Sequence, residues 1–274
     1  MKKDLFDLTG RVAVITGGTG LLGQQHAEAI AGAGGLPVLA DIRLDNVDPR
    51  GAAFKERFGG KACAIKTDIT DPESVKTLLA EVLSRYGRVD ILVNNAANNP
   101  KMEKTANVEF SRLENFTLEQ WEADISVGLT GAFLCAQVIG SEMAKRKRGV
   151  IVNVASDLAV IAPDQRLYGK PGLPTDQQAV KPVTYSVVKT GLIGLTRYLA
   201  TYWADDGIRV NAISPGGVYN NQPEEFVQRL ANLIPLGRMA NADEYQAAIL
   251  FLCSDASSYM TGTNMVIDGG RSCW

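Results

Sequence analysis

Histidine is almost missing from this chain: His26 is the only one in 274 residues, and the four cysteines (Cys63, Cys135, Cys253, Cys273) stand far apart with no CxxC spacing. No zinc cluster or disulfide framework can be assembled from that set, so no metal is expected and a reducing compartment fits. A charge imbalance is missing too. Twenty-eight Lys and Arg against 30 Asp and Glu leave a net charge of -2, which argues against a nucleic-acid partner or a polybasic hold on a membrane. The basic run KRKR (145–148) closes a helical pattern just before Gly149, where cations complement the helix dipole and glycine supplies a cap. No apolar run reaches the length of a membrane span, and Asp4 and Asp7 in the opening MKKDLFDLTG interrupt what a signal peptide would need. A cytoplasmic location without membrane association is expected. Internal repeats, low-complexity tracts and Gly/Ser linkers are absent as well.

What is present suffices for one sizeable core, with 46% hydrophobic and 21% charged residues. Short β-branched runs alternate with longer helical patterns: VAVIT (12–16), PVLADI (37–42), CAIKTDI (63–69), VDILVNN (89–95), GVIVNVAS (149–156), IRVNAISP (208–215) and NMVIDGG (264–270). Seven strands separated by helices predict repeated βαβ crossovers and a doubly wound α/β fold with a parallel sheet, one domain over 1–274. Two long irregular stretches, 98–116 and 159–183, read as functional loops inside that domain.

The first predicted strand runs into TGGTGLLG, with Gly18, Gly20 and Gly23 in GxGxxG register and a helix behind them. This is a dinucleotide fingerprint in its proper strand–turn–helix context. Gly17, Thr19, Gly20, Leu22 and Gly23 are its candidate cofactor contacts. Asp41 ends the second strand 18 residues later, where a carboxylate accepts hydrogen bonds from the adenosine ribose and opposes a 2′-phosphate. Arg43 is the one nearby group suited to a phosphate; NAD is favoured and NADP less so. An ordinary turn role for Asp41 stays open. Asp68 and Ile69 after the third strand, and Asn95, Ala96 and Ala97 after the fourth, lie at further C-terminal strand ends, the side where such sheets bind ligands. Asn94 serves equally well as a structural cap. His26, lacking a second histidine, is read as solvated or locally bonded.

One YxxxK, Tyr185 with Lys189, means little alone, since eight tyrosines and 13 lysines give about 0.4 chance occurrences. The ordered set means more: TGGTGLLG, Asp41, Asp68, NNAA (94–97), Ser156, YSVVK (185–189), SPGG (214–217) and the closing GTNMVIDGG (262–270). Together these resemble the short-chain dehydrogenase/reductase family across essentially the whole chain. The resemblance implies a single-domain Rossmann-type fold and an NAD-dependent oxidoreductase. In it Tyr185 is the acid/base, Ser156 holds the reacting oxygen, and Lys189 favours the phenolate and binds the nicotinamide ribose. Pro215, Gly216 and Val218 would form the turn beside the nicotinamide, and a homotetramer or homodimer is the family expectation. Four positions depart from the family pattern. The glycine spacing is TGxxGxxG, found in the extended, nucleotide-sugar-modifying branch; Gly128 stands at the usual active-site asparagine; NNAA replaces NNAG; and Asn220 replaces a threonine.

Twenty-eight residues separate Ser156 from Tyr185, roughly 16 more than relatives commonly have, so the 159–183 insertion is expected to shape the substrate pocket. Arg166 there, Asn98 after NNAA and Asn220 after SPGG are the candidate substrate contacts. Neighbouring polar groups (Tyr168, Lys170, Gln177, Gln178, Lys181, Asn99, Lys101, Lys104, Tyr219, Asn221, Gln222) suit a small polyhydroxylated molecule, a sugar or sugar phosphate, unless these are simply solvated loops. The final third is similar to flagellin-modification and nonulosonate-pathway oxidoreductases, and less so to gluconate 5-dehydrogenase-like proteins. Two rivals remain: a nucleotide-sugar epimerase or dehydratase with tightly bound NAD, opposed by only 85 residues following Lys189, and a non-catalytic NAD(H)-responsive binding protein.

Overall fold

Continuous runs of Val, Ile, Leu and Ala, rather than alternating ones, are what a strand needs when helices cover both faces of its sheet. The computed structural model describes residues 4–44, 62–98 and 111–274. Its strands are β1 (Val12–Thr16), β2 (Leu36–Asp41), β3 (Cys63–Lys66), β4 (Ile91–Asn94), β5 (Gly149–Val154), β6 (Ile208–Pro215) and β7 (Asn264–Ile267). Every residue of β1, β4 and β5 is buried. The sheet is wholly parallel in the order β3-β2-β1-β4-β5-β6-β7. Strand order reverses between β1 and β4, the crevice where doubly wound sheets bind ligands. The predicted strands at 63–69, 89–95, 149–156 and 264–270 overran this sheet at their C-terminal ends. Side chains there capture local backbone instead: Asp68 Oδ1 accepts from Thr70 N at 2.9 Å, and Ser156 Oγ accepts from Leu158 N at 3.2 Å.

The helices are α1 (Leu21–Gly32), α2 (Pro72–Tyr86), α3 (Leu118–Lys145), α4 (Val183–Tyr202), α5 (Glu224–Ala231) and α6 (Gln246–Cys253). Helix α2 shows how sequence punctuates structure. Asp71 accepts from Glu73 N, Pro72 opens the first turn, and Gly87 closes it at φ 70°. Helix α3 is continuous through two π-helical turns, 126–130 and 136–140. By length and by the composition of its apolar middle alone this 28-residue helix could span a membrane, although charged and amide side chains at both ends keep it from being the unbroken apolar run that the sequence was expected to lack. Its apolar side instead meets the sheet, where Cys135, Ala136, Ile139 and Met143 join one core layer with Val75, Leu78 and Val82 of α2 and Leu199 and Ala200 of α4. The opposite layer gathers Ala27 and Ile30 of α1 with Ala248, Ile249 and Leu252 of α6. Burial pushes the thiols of Cys135 and Cys253 up to about 12, so both stay protonated and inert.

The KRKR run does close α3, but the left-handed residue there is Lys147 (φ 52°), which pairs with Asp206. Gly149 belongs to β5, and is small because a Cβ on it would meet Met143 Sδ at 2.6 Å. Gly140 is small for a similar reason: a Cβ would run into the indole of Trp203. Gly140→Val is therefore expected to lose about 1–3 kcal/mol of stability by overpacking, read as a lowered denaturant midpoint with an unchanged slope.

Candidate active site

The β1–α1 turn is built to bring backbone close to a ligand. Gly17 turns at φ 59°, a Cβ on Gly18 would strike Leu39 Cδ2 at 2.8 Å, and one on Gly23 would collide with the carbonyl of Gly17. Gly20 caps α1 with no side-chain acceptor, so the first-turn amides remain for an anion. These features fit the pyrophosphate of a dinucleotide. Asn95 fastens this turn to β4: its Nδ2 donates to Thr16 O at 2.9 Å and Gly17 O at 3.1 Å, while Thr16 Oγ1 accepts from the amides of Asn95 and Ala96 at 3.0 and 3.1 Å. Asn94 knits β4 to β5 through Asn153 Oδ1 at 2.8 Å, the structural alternative for that residue. His26 is not solvated: it is completely buried, and burial, opposed by its contact with the Asn95 side chain, lowers its pKa to about 3, leaving it neutral.

Asp41 sits at the end of β2 and is 4% exposed. Its Oδ2 accepts from Thr19 N at 3.1 Å and Thr19 Oγ1 at 2.6 Å, and its Oδ1 accepts from Arg43 N at 3.0 Å. Burial would raise its pKa, but these hydrogen bonds and the Arg43 charge together hold the carboxyl below the usual range. Asp41 thus anchors the glycine loop from the C-terminal end of β2. Asp68 directs the turn into α2, and Ile69 packs where a Cβ on Gly131 would otherwise go.

The ends of β4, β5 and β6 and the first turn of α1 surround one cavity. Of the candidate cofactor contacts, Leu22, Asn95, Ala97, Pro215, Gly216 and Val218 line it, together with Ser156, Tyr185 and Lys189. Gly17, Thr19, Gly20, Gly23, Asp41, Asp68, Ile69 and Ala96 lie outside its walls. Helix α4 places Tyr185 and Lys189 one turn apart, and Lys189 Nζ donates to Val154 O at 2.7 Å, 5.9 Å from the Tyr185 ring centroid. The expected acidification of the phenol does not appear in the chain itself. Burial raises the Tyr185 pKa; the neighbouring Ser156 hydroxyl pulls it down and Asp157 pushes it further up. Lys189 is itself lowered to about 8, first by burial and then by Lys181, whose Nζ lies 3.8 Å from the Tyr185 ring centroid. Tyr185 is therefore held as a proton donor, with two cations beside it.

The three candidate substrate residues lie in three different settings. Asn220 lines the cavity. Arg166 does not: its side chain is 88% exposed and pairs with Asp164, because the short turn at 165–168 points it outward. Asn98 lines a second, small cavity with Asp124, Gly128, Val188, Tyr185 and Lys189, and donates to Asp124 Oδ1 at 3.3 Å. Asn99, Lys101 and Lys104 lie outside the described residues. The insertion instead contributes Leu167, Tyr168 and Lys181 to the main cavity, and Leu167 and Tyr168 pack with Phe226, Leu230 and Met239 into an apolar wall no motif announced. Asp157 and Arg271 were missed as well, although Asp157 directly follows Ser156. At Gly128 a Cβ would meet Val188 Cγ1 at 2.5 Å, so the valine of YSVVK occupies the room an asparagine would need.

The sequence pattern described as short chain dehydrogenase matches residues 11–169, and that described as enoyl-(acyl carrier protein) reductase matches 175–272. The chain is 34% identical over 270 residues to an NAD-dependent glycerol dehydrogenase of Listeria innocua, covering 97% of this chain and 95% of that one. It is 33% identical over 275 residues to an NADP-dependent mannitol dehydrogenase of Alternaria alternata, covering 98% and 94%. Among solved structures, a gluconate 5-dehydrogenase of Burkholderia cenocepacia in complex with NADP and tartrate superposes with a TM-score of 0.83 at 28% identity, covering 99% of this chain and 98% of that one. The narrower likeness to flagellin-modification and nonulosonate oxidoreductases finds no support in these relatives.

Proposed function

Because the chain belongs to the short-chain dehydrogenase/reductase family, an oxidoreductase family acting on alcohols and ketones, we propose that it interconverts a secondary alcohol and a ketone on a small sugar alcohol or related sugar, with NAD as the preferred cofactor. The observation that carries this is the meeting of Ser156, Tyr185 and Lys189 on one cavity at the strand-order switch. The bound nicotinamide would supply the hydride acceptor or donor. The chain's own groups manage the proton: Ser156 and Tyr185 seat the reacting oxygen, and Tyr185 Oη takes the hydroxyl proton in oxidation or returns it in reduction. Lys189, fixed by Val154 O, keeps a cation beside that phenol. Gly17 to Gly23 would hold the pyrophosphate, and the carboxylate of Asp41 opposes a 2′-phosphate, which favours NAD.

Sugar alcohols as substrates are supported by the polyol relatives and by the polar side chains in the cavity wall, Asn220, Gln222, Lys181, Asp157 and Arg271. A homodimer or homotetramer belongs to the same proposal, in keeping with the stacked Tyr198–Tyr202 pair and Phe133 exposed on α4 and α3. The test is absorbance of NADH or NADPH during incubation with glycerol, mannitol, threitol and related polyols. Net reduction of free cofactor by at least one is expected. Turnover without net redox change would favour an epimerase-type cycle, and cofactor binding without turnover a binding protein.

A further inference from the structure

The cavity wall next to Ser156 carries a buried ion pair contributed by two distant parts of the chain. Asp157 and Arg271 are 3% and 8% exposed, and both line the cavity. Arg271 comes from the tail after β7, and its Nη1 donates to Asp157 Oδ2 at 2.7 Å. Asp157 Oδ1 in turn accepts from Ser156 Oγ at 2.9 Å and Leu158 N at 2.8 Å. An apolar contact would anchor a tail as well as a buried ion pair does, because desolvation offsets most of the Coulomb attraction. Here the pair stands beside the seat of the reacting oxygen. A guanidinium carries five N–H donors and a carboxylate about four acceptor sites, more than the contacts above engage.

We propose that Asp157 and Arg271 bind a second oxygen on the carbon next to the reacting one, so that the enzyme selects vicinal diols over isolated alcohols. This deepens the polyol reading and rests on it. A hydroxyl donates its proton to a carboxylate and offers its lone pairs to a guanidinium, which matches the pair in both senses. The pair is neutral as a unit, which suits a hydroxyl better than a phosphate or carboxylate. The apolar wall of Leu167, Phe226, Leu230 and Met239 faces the same cavity and fits the C–H surface of a short carbon chain.

The experiment compares kcat/KM for butane-2,3-diol and threitol with that for butan-2-ol, in the wild type and in Arg271→Leu/Asp157→Asn. The double change removes both charges, so neither is left buried alone. The wild type is expected to favour the diols by about 100-fold or more. The double variant should lose about 10- to 100-fold of that ratio, chiefly through KM, and Arg271→Lys should keep part of it. An unchanged ratio in a double variant with an unchanged melting temperature would show that the pair is only a tail anchor. The absence of diol preference in the wild type, or a stronger preference for an aldonate or polyol phosphate, would overturn the proposal without any variant having to fold. Failure of the wild type to oxidise any alcohol with NAD or NADP would remove the oxidoreductase reading, and this inference with it.

Discussion

Tyr185→Phe is expected to lower kcat by about 10²–10⁴-fold while leaving the dissociation constant for NADH within a few-fold of the wild type, measured by cofactor fluorescence. The substitution keeps the ring that lies beneath Lys181 and removes only the hydroxyl. Neither Ser156 nor Lys189 replaces it. Ser156 already donates to Asp157 Oδ1, and Lys189 Nζ is engaged by Val154 O. Turnover at the wild-type rate would remove Tyr185 from the mechanism, and a parallel loss of cofactor affinity would show that the hydroxyl acts in binding instead.

The electrostatics of the same pair set the sign of the pH dependence. Burial holds Tyr185 above its ordinary pKa, so at neutral pH it is protonated and ready to donate to a ketone oxygen. Oxidation needs the phenolate, whose fraction rises tenfold per pH unit below that pKa. Lys189 acts in the opposite sense, because it loses its proton near pH 8 and with it the charge that favours phenolate. Oxidation is therefore expected to climb with pH up to about 8 and flatten above it, while reduction is sustained at neutral pH. Initial rates in both directions across a buffer series check this; an oxidation rate that falls steadily from pH 6 upward would contradict it.

The parts of this molecule legible in the sequence are those whose physics is local. A glycine that must lie against another backbone, a strand buried on both faces and a Tyr–Lys pair one helical turn apart all leave short patterns, and each lies where those patterns put it. Arg166 misled because polarity in a loop does not say which way the loop turns; its 3-10 turn gives it to Asp164. Arg271 left no signal because its partner lies 114 residues away and only the sheet brings them together. The 118–145 helix was hard to read for a different reason. Gln120, Glu122, Asp124 and Glu142 obscure how apolar its middle is, and that middle is what the sheet requires of a covering helix. The phenol's pKa was legible only in half. The i+4 spacing shows the cation, but not the burial and the Asp157 carboxylate that work against it.

Asp41→Ala is expected to shift the ratio of NADP to NAD affinity by at least about tenfold, or 1.4 kcal/mol, toward NADP. Asp41 is anionic at neutral pH, held so by Thr19 and Arg43 against its burial. A 2′-phosphate brought within about 4 Å of it would meet a repulsion of roughly 1–4 kcal/mol per charge, depending on solvent access. Removing the carboxylate removes that opposition and leaves the Arg43 side chain, 64% exposed and paired with Asp41 in the wild type, as a cation at that strand end. The same change takes away the acceptor that holds Thr19 N and Oγ1, so both cofactors should bind more weakly and only their ratio reports ribose recognition. Asp41→Asn separates the two effects. It keeps an oxygen for Thr19 but has no charge, so it should move the ratio in the same direction with a smaller loss of overall affinity. Should neither variant change the ratio in fluorescence titrations, Asp41 would be a loop anchor alone, and the discrimination between NAD and NADP would have to reside elsewhere in the cofactor cleft.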